Sequence, residues 1–242
     1  MNTLTQPYTI YPDSGRGKTE ISWLKGRHTF SFGSFYDPER GQFGSLRVIN
    51  DDRIAAKGGF PSHPHQNMEI ISFVLEGALE HEDSMGNGDV INAGDVQYMS
   101  AGTGVIHSEF NPLADQSTRL IQVWITPDQD GYEPAYEKKD GILFSKKNAW
   151  ISVLEPTGKK TSESAIEIRQ DASAAYAHLD NGSQLPLQVE KGRQTWLQVL
   201  SGKVQIGDAI LTHGDSIAIK DPFDSTLHAI EDAQLLRFNL SN

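Results

Sequence analysis

Two short pairs of residues carry the chemistry this chain could perform: His63-Pro64-His65 and His107-Ser108-Glu109. On a β-strand, residues two apart point to the same face with Cα atoms about 6.6 Å apart, so the members of a pair can converge on one ion. If both pairs line one barrel, they offer three imidazole nitrogens and one carboxylate oxygen. That donor set suits one six-coordinate divalent transition metal, with two positions left for solvent or substrate. Fe(II) is the first choice, and Ni, Mn, Cu, Co or Zn are compatible. A structural zinc is the weaker reading, because such sites favour cysteine and close their coordination. A lone His-x-His pair is more often two hydrogen-bonded core histidines than a metal site. The second pair, one glycine-turn hairpin later, makes coincidence the worse explanation.

Converging pairs need strands, and short runs of alternating polarity recur along the chain. Examples are Arg27–Phe32, Phe43–Ile49, Glu69–Leu75, Val96–Ser100, Leu120–Ile125, Thr195–Leu200 and Leu235–Leu240. Turn signals such as Glu76-Gly77, Asn87-Gly88, Gly94-Asp95, Ser201-Gly202 and Gly214-Asp215 separate them. Many short strands at this spacing argue for an all-β sandwich or barrel. The one helix expected is a weak stretch around Asp171–His178. An internal repeat is the more useful signal. Leu75-Glu76-Gly77 followed by Ala93-Gly94-Asp95 matches Leu200-Ser201-Gly202 followed by His213-Gly214-Asp215. Two copies of one β-barrel unit explain the length, with the boundary in the polar stretch Pro127–Gly141. The expected domains are a metal-binding barrel at 1–134 and a metal-free one at 135–242. Counting back from Gly202 puts Gln188 and Glu190 where the first copy has His63 and His65. His228 falls near the place of His107, and one histidine without a partner is a poor site.

Composition removes several classes of function. With 21 Lys and Arg against 32 Asp and Glu in 242 residues, the net charge is −11. The chain therefore lacks the positive stripe that phosphate backbones require, and direct nucleic-acid binding is not expected. No run approaches the roughly 18 apolar residues of a membrane span. The N-terminal stretch has neither a basic nor an apolar region of a secretory leader, which fits a cytoplasmic address. The absence of cysteine excludes disulfides, iron–sulfur clusters and thiol nucleophiles together. Gly17-Lys18-Thr19 imitates the end of a phosphate-binding loop, but Pro12 stands where its first glycine is required. His28 reads as a packed or substrate-side residue, His81 as near the barrel rim, and His178 and His213 as loop residues. Phe30, Phe32, Phe73, Tyr98 and Trp124 read mostly as core, with one or two lining an apolar pocket for a flat aromatic ring.

The stretches Gly58–Glu69 and Gly94–Asn111 resemble the two cupin motifs. More narrowly, the chain resembles the pirin family: Trp23–Phe32, Tyr36-Asp37-Pro38, Leu46–Asp52 and His81-Glu82-Asp83-Ser84 match its N-terminal signature. The likeness is dense over roughly residues 20–127 and thin afterwards. It implies a bicupin, two tandem jelly-roll barrels, with the metal held by His63, His65, His107 and Glu109. In cupins generally the glutamate closing the first motif, here Glu69, often binds the metal. It lies four residues past His65, about 13 Å along an ideal strand, and would reach the ion only through a bend at Gln66-Asn67. Glu109 is therefore the expected ligand, and Glu69 a second candidate for the general base. Bacterial members similar to this chain are flavonol 2,3-dioxygenases, whereas animal pirins are regarded as iron-dependent transcriptional co-regulators. The resemblance thus implies a dioxygenase that opens the heterocyclic ring of quercetin-like substrates with O2. The alternative is an iron-binding redox sensor that acts through a protein partner without turnover. The expected partners are a planar phenol and O2, and the expected state is a monomer, since two fused barrels supply each other's packing.

Overall fold

Alternating polarity between glycine turns makes strands along the whole chain, and among the described residues there is no α-helix. The computed structural model describes residues 7–242. The stretch read as lacking a secretory leader falls largely on residues 1–6, outside these. No helix among the described residues is long and apolar enough to cross a membrane.

The chain forms two compact units. In the first, a seven-stranded sheet runs Ala135–Lys139, Val96–Ser100, Glu69–Glu76, Thr118–Ile125, Leu46–Ile54, Leu24–His28, Gly17–Glu20. A four-stranded sheet runs Gly59–His65, Val105–Phe110, Ala78–Asp83, Gly88–Asn92. The second unit repeats the plan. Its small sheet runs Gln184–Val189, Phe223–Ala229, Lys203–Ile206, Ala209–Thr212. Its large sheet places Arg193–Ser201 between Ser216–Ile219 and Ala233–Ser241. The expected all-β pair of tandem barrels is what the chain builds.

The repeat read from the glycines is a repeat of hydrogen bonds. Asp95 accepts from the Asn92 N–H at 2.8 Å, and Asp215 accepts from the Thr212 N–H at 2.8 Å. Gly94 N–H donates to the Val74 carbonyl, as Gly214 N–H does to that of Val199. Gly77 and Gly202 turn with φ of 74° and 75°, in the left-handed region that glycine alone enters without strain. Each also lies against backbone: a Cβ would stand 2.8 Å from the Ser117 carbonyl oxygen at Gly77, and 1.9 Å from that of Asp232 at Gly202.

Two expectations need correction. The stretch around Asp171–His178 is the strand Ala172–Leu179, so His178 lies on a strand rather than in a loop. All eight of its residues pair antiparallel with Ala233–Leu240. Its four alanines favour a helix in isolation, but their small side chains also fit an interior strand, and pairing overrides propensity. The units also do not divide at residue 134. Residues 7–15 belong with the C-terminal unit, while Pro156–Gln170 belongs with the N-terminal one. The cut would also remove Ala135–Lys139, which pairs along its full length with Val96–Ser100.

The interiors differ sharply. In the second barrel Leu185, Leu187, Val189, Leu197, Val199, Leu227 and Leu235 pack into one apolar cluster. In the first, apolar clusters around Leu79 and Met99 flank an interior that also holds histidines, carboxylates and amides.

Candidate metal centre

Three of the residues expected to hold a metal come together. Ligand nitrogens of His63, His65 and His107 all lie within 4.8 Å of one another. His63 and His65 share a face of Gly59–His65, and His107 sits directly across from His63 on Val105–Phe110. The register then shifts, so that Glu109 faces Phe60 and the extra residue of this bulge falls at Pro61-Ser62. Pro61 has no N–H for a ladder, which makes a bulge a natural place for it. Its carbonyl, turned out of the ladder, accepts from Nδ1 of His63 at 2.8 Å.

The tautomers follow from the outside inward. Asp83 Oδ2 accepts from Nε2 of His81 at 3.1 Å, which leaves Nδ1 of His81 as an acceptor. That atom faces Nδ1 of His107 at 3.4 Å, so His107 carries its proton there. Nε2 is then unprotonated on both His63 and His107, and these two atoms face each other at 3.1 Å. Two lone pairs at that distance repel unless a shared proton or a metal ion joins them. Burial and the neighbouring imidazoles His107 and His63 push His65 down to about 4, against an upward pull from Glu109. Burial, His63 and His81 push His107 down to about 3, opposed by Asp83. Neutral imidazoles are the form a metal binds. The donor set therefore fits a divalent transition ion. His81 is not at the rim as expected: it is fully buried, stacked on Tyr136 and in contact with His107.

The two glutamates part company. Glu109 is buried and lines the same cavity as His63 and His65, but its carboxylate stands outside the histidine cluster. The Gln122 amide donates to both of its oxygens at 3.1 and 2.9 Å, and Ser72 Oγ approaches at 3.4 Å. Glu69 is not brought to the histidines. Its carboxylate is buried, accepts from Tyr98 Oη, Ser100 Oγ and the Arg169 N–H, and does not line the cavity. The strand Glu69–Glu76 starts beyond the turn at Gln66-Asn67 and carries Glu69 into the large sheet, paired with Ser100 and Ile125.

The cavity measures about 300 Å³. Leu24, Phe32, Phe60 and Trp124 form its apolar walls, so Phe32 and Trp124 are the pocket residues of the aromatic set. Phe30, Phe73 and Tyr98 are core. Thr19, His28, Asn50, Asp52 and Gln122 add polar groups. His28 is held between Asn50 Oδ1 and Thr19 Oγ1, each at 2.8 Å, and burial lowers its pKa. Asn50, Asp52, Gln122 and the His81–Asp83 pair were missed in the sequence. The legible sign was Asn50-Asp51-Asp52, a polar run that follows Leu46, Val48 and Ile49 on the same strand.

Strand pairing locates the equivalent positions in the second barrel one residue away from the count by spacing. Phe223 faces Val189 as Val105 faces His65, which puts Leu187 and Val189 at the places of His63 and His65. Ser225 then takes the place of His107 and Leu227 that of Glu109. His228 is exposed.

Residues 12–125 match the Pirin family, and residues 153–240 match the quercetinase C-terminal cupin domain. A quercetin 2,3-dioxygenase of Escherichia coli K12 is 40% identical over 225 residues, covering 93% of this chain and 95% of that one. A pirin-like protein of Caulobacter vibrioides is 39% identical over 220 residues, covering 91% and 94%. Among solved structures, the bacterial pirin YhhW of Escherichia coli in complex with nickel(II) superposes with a TM-score of 0.90 at 38% identity, over 97% of this chain and 99% of that one.

Proposed function

This chain belongs to the pirin family, and on that premise we propose that it is a metal-dependent dioxygenase that opens the heterocyclic ring of flavonols such as quercetin with O2. The observation that carries the reading is the pair of facing imidazole nitrogens of His63 and His107, beside an aromatic-walled cavity that His63 and His65 line. His63, His65 and His107 would hold the ion, with Glu109 as the fourth donor. Fe(II) is our first choice, with Ni, Mn, Cu, Co or Zn compatible with the same donors. The nickel(II) complex of the E. coli pirin supports a first-row divalent ion. Bound there, the ion would supply Lewis acidity toward the substrate's 3-hydroxyl oxygen and redox chemistry toward O2.

The chain's own residues do the rest. Phe32, Phe60 and Trp124 clamp a flat ring and exclude water. Glu109 accepts the 3-hydroxyl proton on a carboxylate oxygen, while Gln122 and Ser72 fix which way that carboxylate faces. Glu69, occupied by Tyr98, Ser100 and Arg169, is given no step. Both atoms of O2 enter the depside product, and one ring carbon leaves as carbon monoxide.

The test is flavonol loss with the protein stripped and then reloaded with Fe(II), Ni, Mn, Cu or Co. Oxygen-consuming turnover that returns with metal, and is lost in His107→Ala together with metal binding, is the expected result. Tight stoichiometric binding without turnover by any metal would replace this reading with that of a redox-sensing interaction protein. Full metal occupancy in His107→Ala would remove the site itself.

A further inference from the structure

The strand Leu46–Ile54 sends successive side chains to opposite faces, and its two adjacent aspartates meet different fates. Asp51 is bound by Arg119, whose Nε and Nη2 donate to the two carboxylate oxygens at 3.0 and 2.9 Å. Asp52 points the other way and lines the cavity, from the large sheet, whereas the histidines line it from the small one. It is 4% exposed, and its Oδ1 is buried without any hydrogen-bond partner. Buried carboxyl oxygens are ordinarily satisfied, so an unpartnered one on a residue that lines a binding cavity marks a partner that arrives with the ligand.

The surroundings leave that oxygen without a donor. Gly26 is its neighbour on the next strand, and a Cβ there would stand 2.6 Å from Oδ1. On the other side the strand partner is Leu120, which has nothing to donate. Nearby polar groups are already engaged: His28 with Asn50 and Thr19, Gln122 with Glu109 and Trp124. Burial, Asp51 and Glu109 push the Asp52 carboxyl up to about 8, and Arg16 pulls it down. On the adjacent strand, burial lowers the pKa of His28, which favours its neutral form, and Lys25 and Arg27 are the charged groups of that strand. At neutral pH the Asp52 carboxyl is thus mostly protonated and can both donate and accept.

We propose that Asp52 is the residue that recognises a hydroxyl group of the planar phenol seated in this cavity, and so sets specificity for hydroxylated over bare aromatic ligands. This rests on the flavonol reading above and adds to it a contact made away from the metal ligands. A site built around a hydroxyl rejects the analogue that lacks it, because its own polar group is then left unpaired.

The test uses the full-length, nickel-loaded protein under anaerobic conditions, titrated with quercetin and with unsubstituted flavone. Quenching of tryptophan fluorescence reports binding, since Trp124 lines the cavity. Wild type should prefer quercetin by about ten-fold or more, the worth of one buried hydrogen bond. Asp52→Leu should weaken quercetin by about ten-fold, leave flavone unchanged or tighter, and keep nickel stoichiometry. Asp52→Ala is the second variant, read in the same way. Quercetin affinity within two-fold of wild type in either variant overturns the inference while leaving the dioxygenase reading intact. Equal loss of quercetin and flavone also overturns it, since that would mark a structural role. Wild type that never turns quercetin over in air, while the two Asp52 variants lose quercetin but not flavone, overturns the dioxygenase reading and upholds the role of Asp52. Wild type that binds neither compound overturns both.

Discussion

His81 decides which nitrogen of His107 is free. It accepts a hydrogen bond from Nδ1–H of His107 and donates one from its own Nε2–H to Asp83, so the ligand nitrogen faces inward before any ion arrives. Partners of this kind are worth 10- to 100-fold in metal affinity. His81→Phe keeps the ring stacked on Tyr136 but removes the acceptor. It should weaken nickel binding by about 10- to 100-fold in a chelator competition, with little change in the thermal midpoint of the metal-free protein. Asp52 gives a second prediction, with a definite sign. Its folded pKa of about 8 lies above the ordinary carboxylate value. The stability it contributes is therefore full below that ordinary value and is lost as pH climbs toward about 8. Asp52→Asn should then out-stabilise wild type by a margin that grows across this window and levels off above it. Thermal midpoints measured against pH will show whether it does. The histidine pairs were legible because identity and spacing suffice to put two side chains on one strand face. The supporting residues were not, because His81, Asp52 and Gln122 acquire their roles only when separate strands fold together.

Strand pairing, rather than propensity, explains which elements could be read. Val96–Ser100 and Glu69–Glu76 appeared nearly to the residue, since their apolar runs end at glycine turns. Ala172–Leu179 read as a helix because one partner strand, Ile151–Pro156, lies about twenty residues before it and the other, Ala233–Ser241, more than fifty after it, both beyond any local window. The bulge at Pro61 was equally hidden. A proline in a strand announces some irregularity, but only the register shows that its carbonyl aims His63. The glycine turns offer the sharpest test of the repeat. Gly202→Ala would place a Cβ 1.9 Å from a backbone oxygen at φ 75°. It should cost about 3 kcal/mol, between backbone strain and a clash that flexible atoms cannot relieve. Gly77→Ala should act in the same direction, with less effect because its nearest contact is 2.8 Å. Denaturant midpoints of the two variants would measure both.

Over the whole molecule, the all-β class and the duplication were legible, and the linear boundary was not. The first unit needs Ala135–Lys139 to complete its large sheet and Arg169 to satisfy buried Glu69. A fragment of residues 1–134 lacks both and should fail to give the dispersed amide spectrum of a folded barrel. Full-length protein should give it under the same conditions. The two barrels agree at Gly77 and Gly202 and at Asp95 and Asp215, yet they share nothing inside where one holds His63 and His65 and the other Leu187 and Val189. A duplicated gene keeps its corners and rewrites its rooms. The second barrel accordingly repeats the scaffold of the first around an interior packed with apolar side chains. For an engineer wanting a new pocket in this protein, Leu187, Val189 and Leu227 are the places to begin.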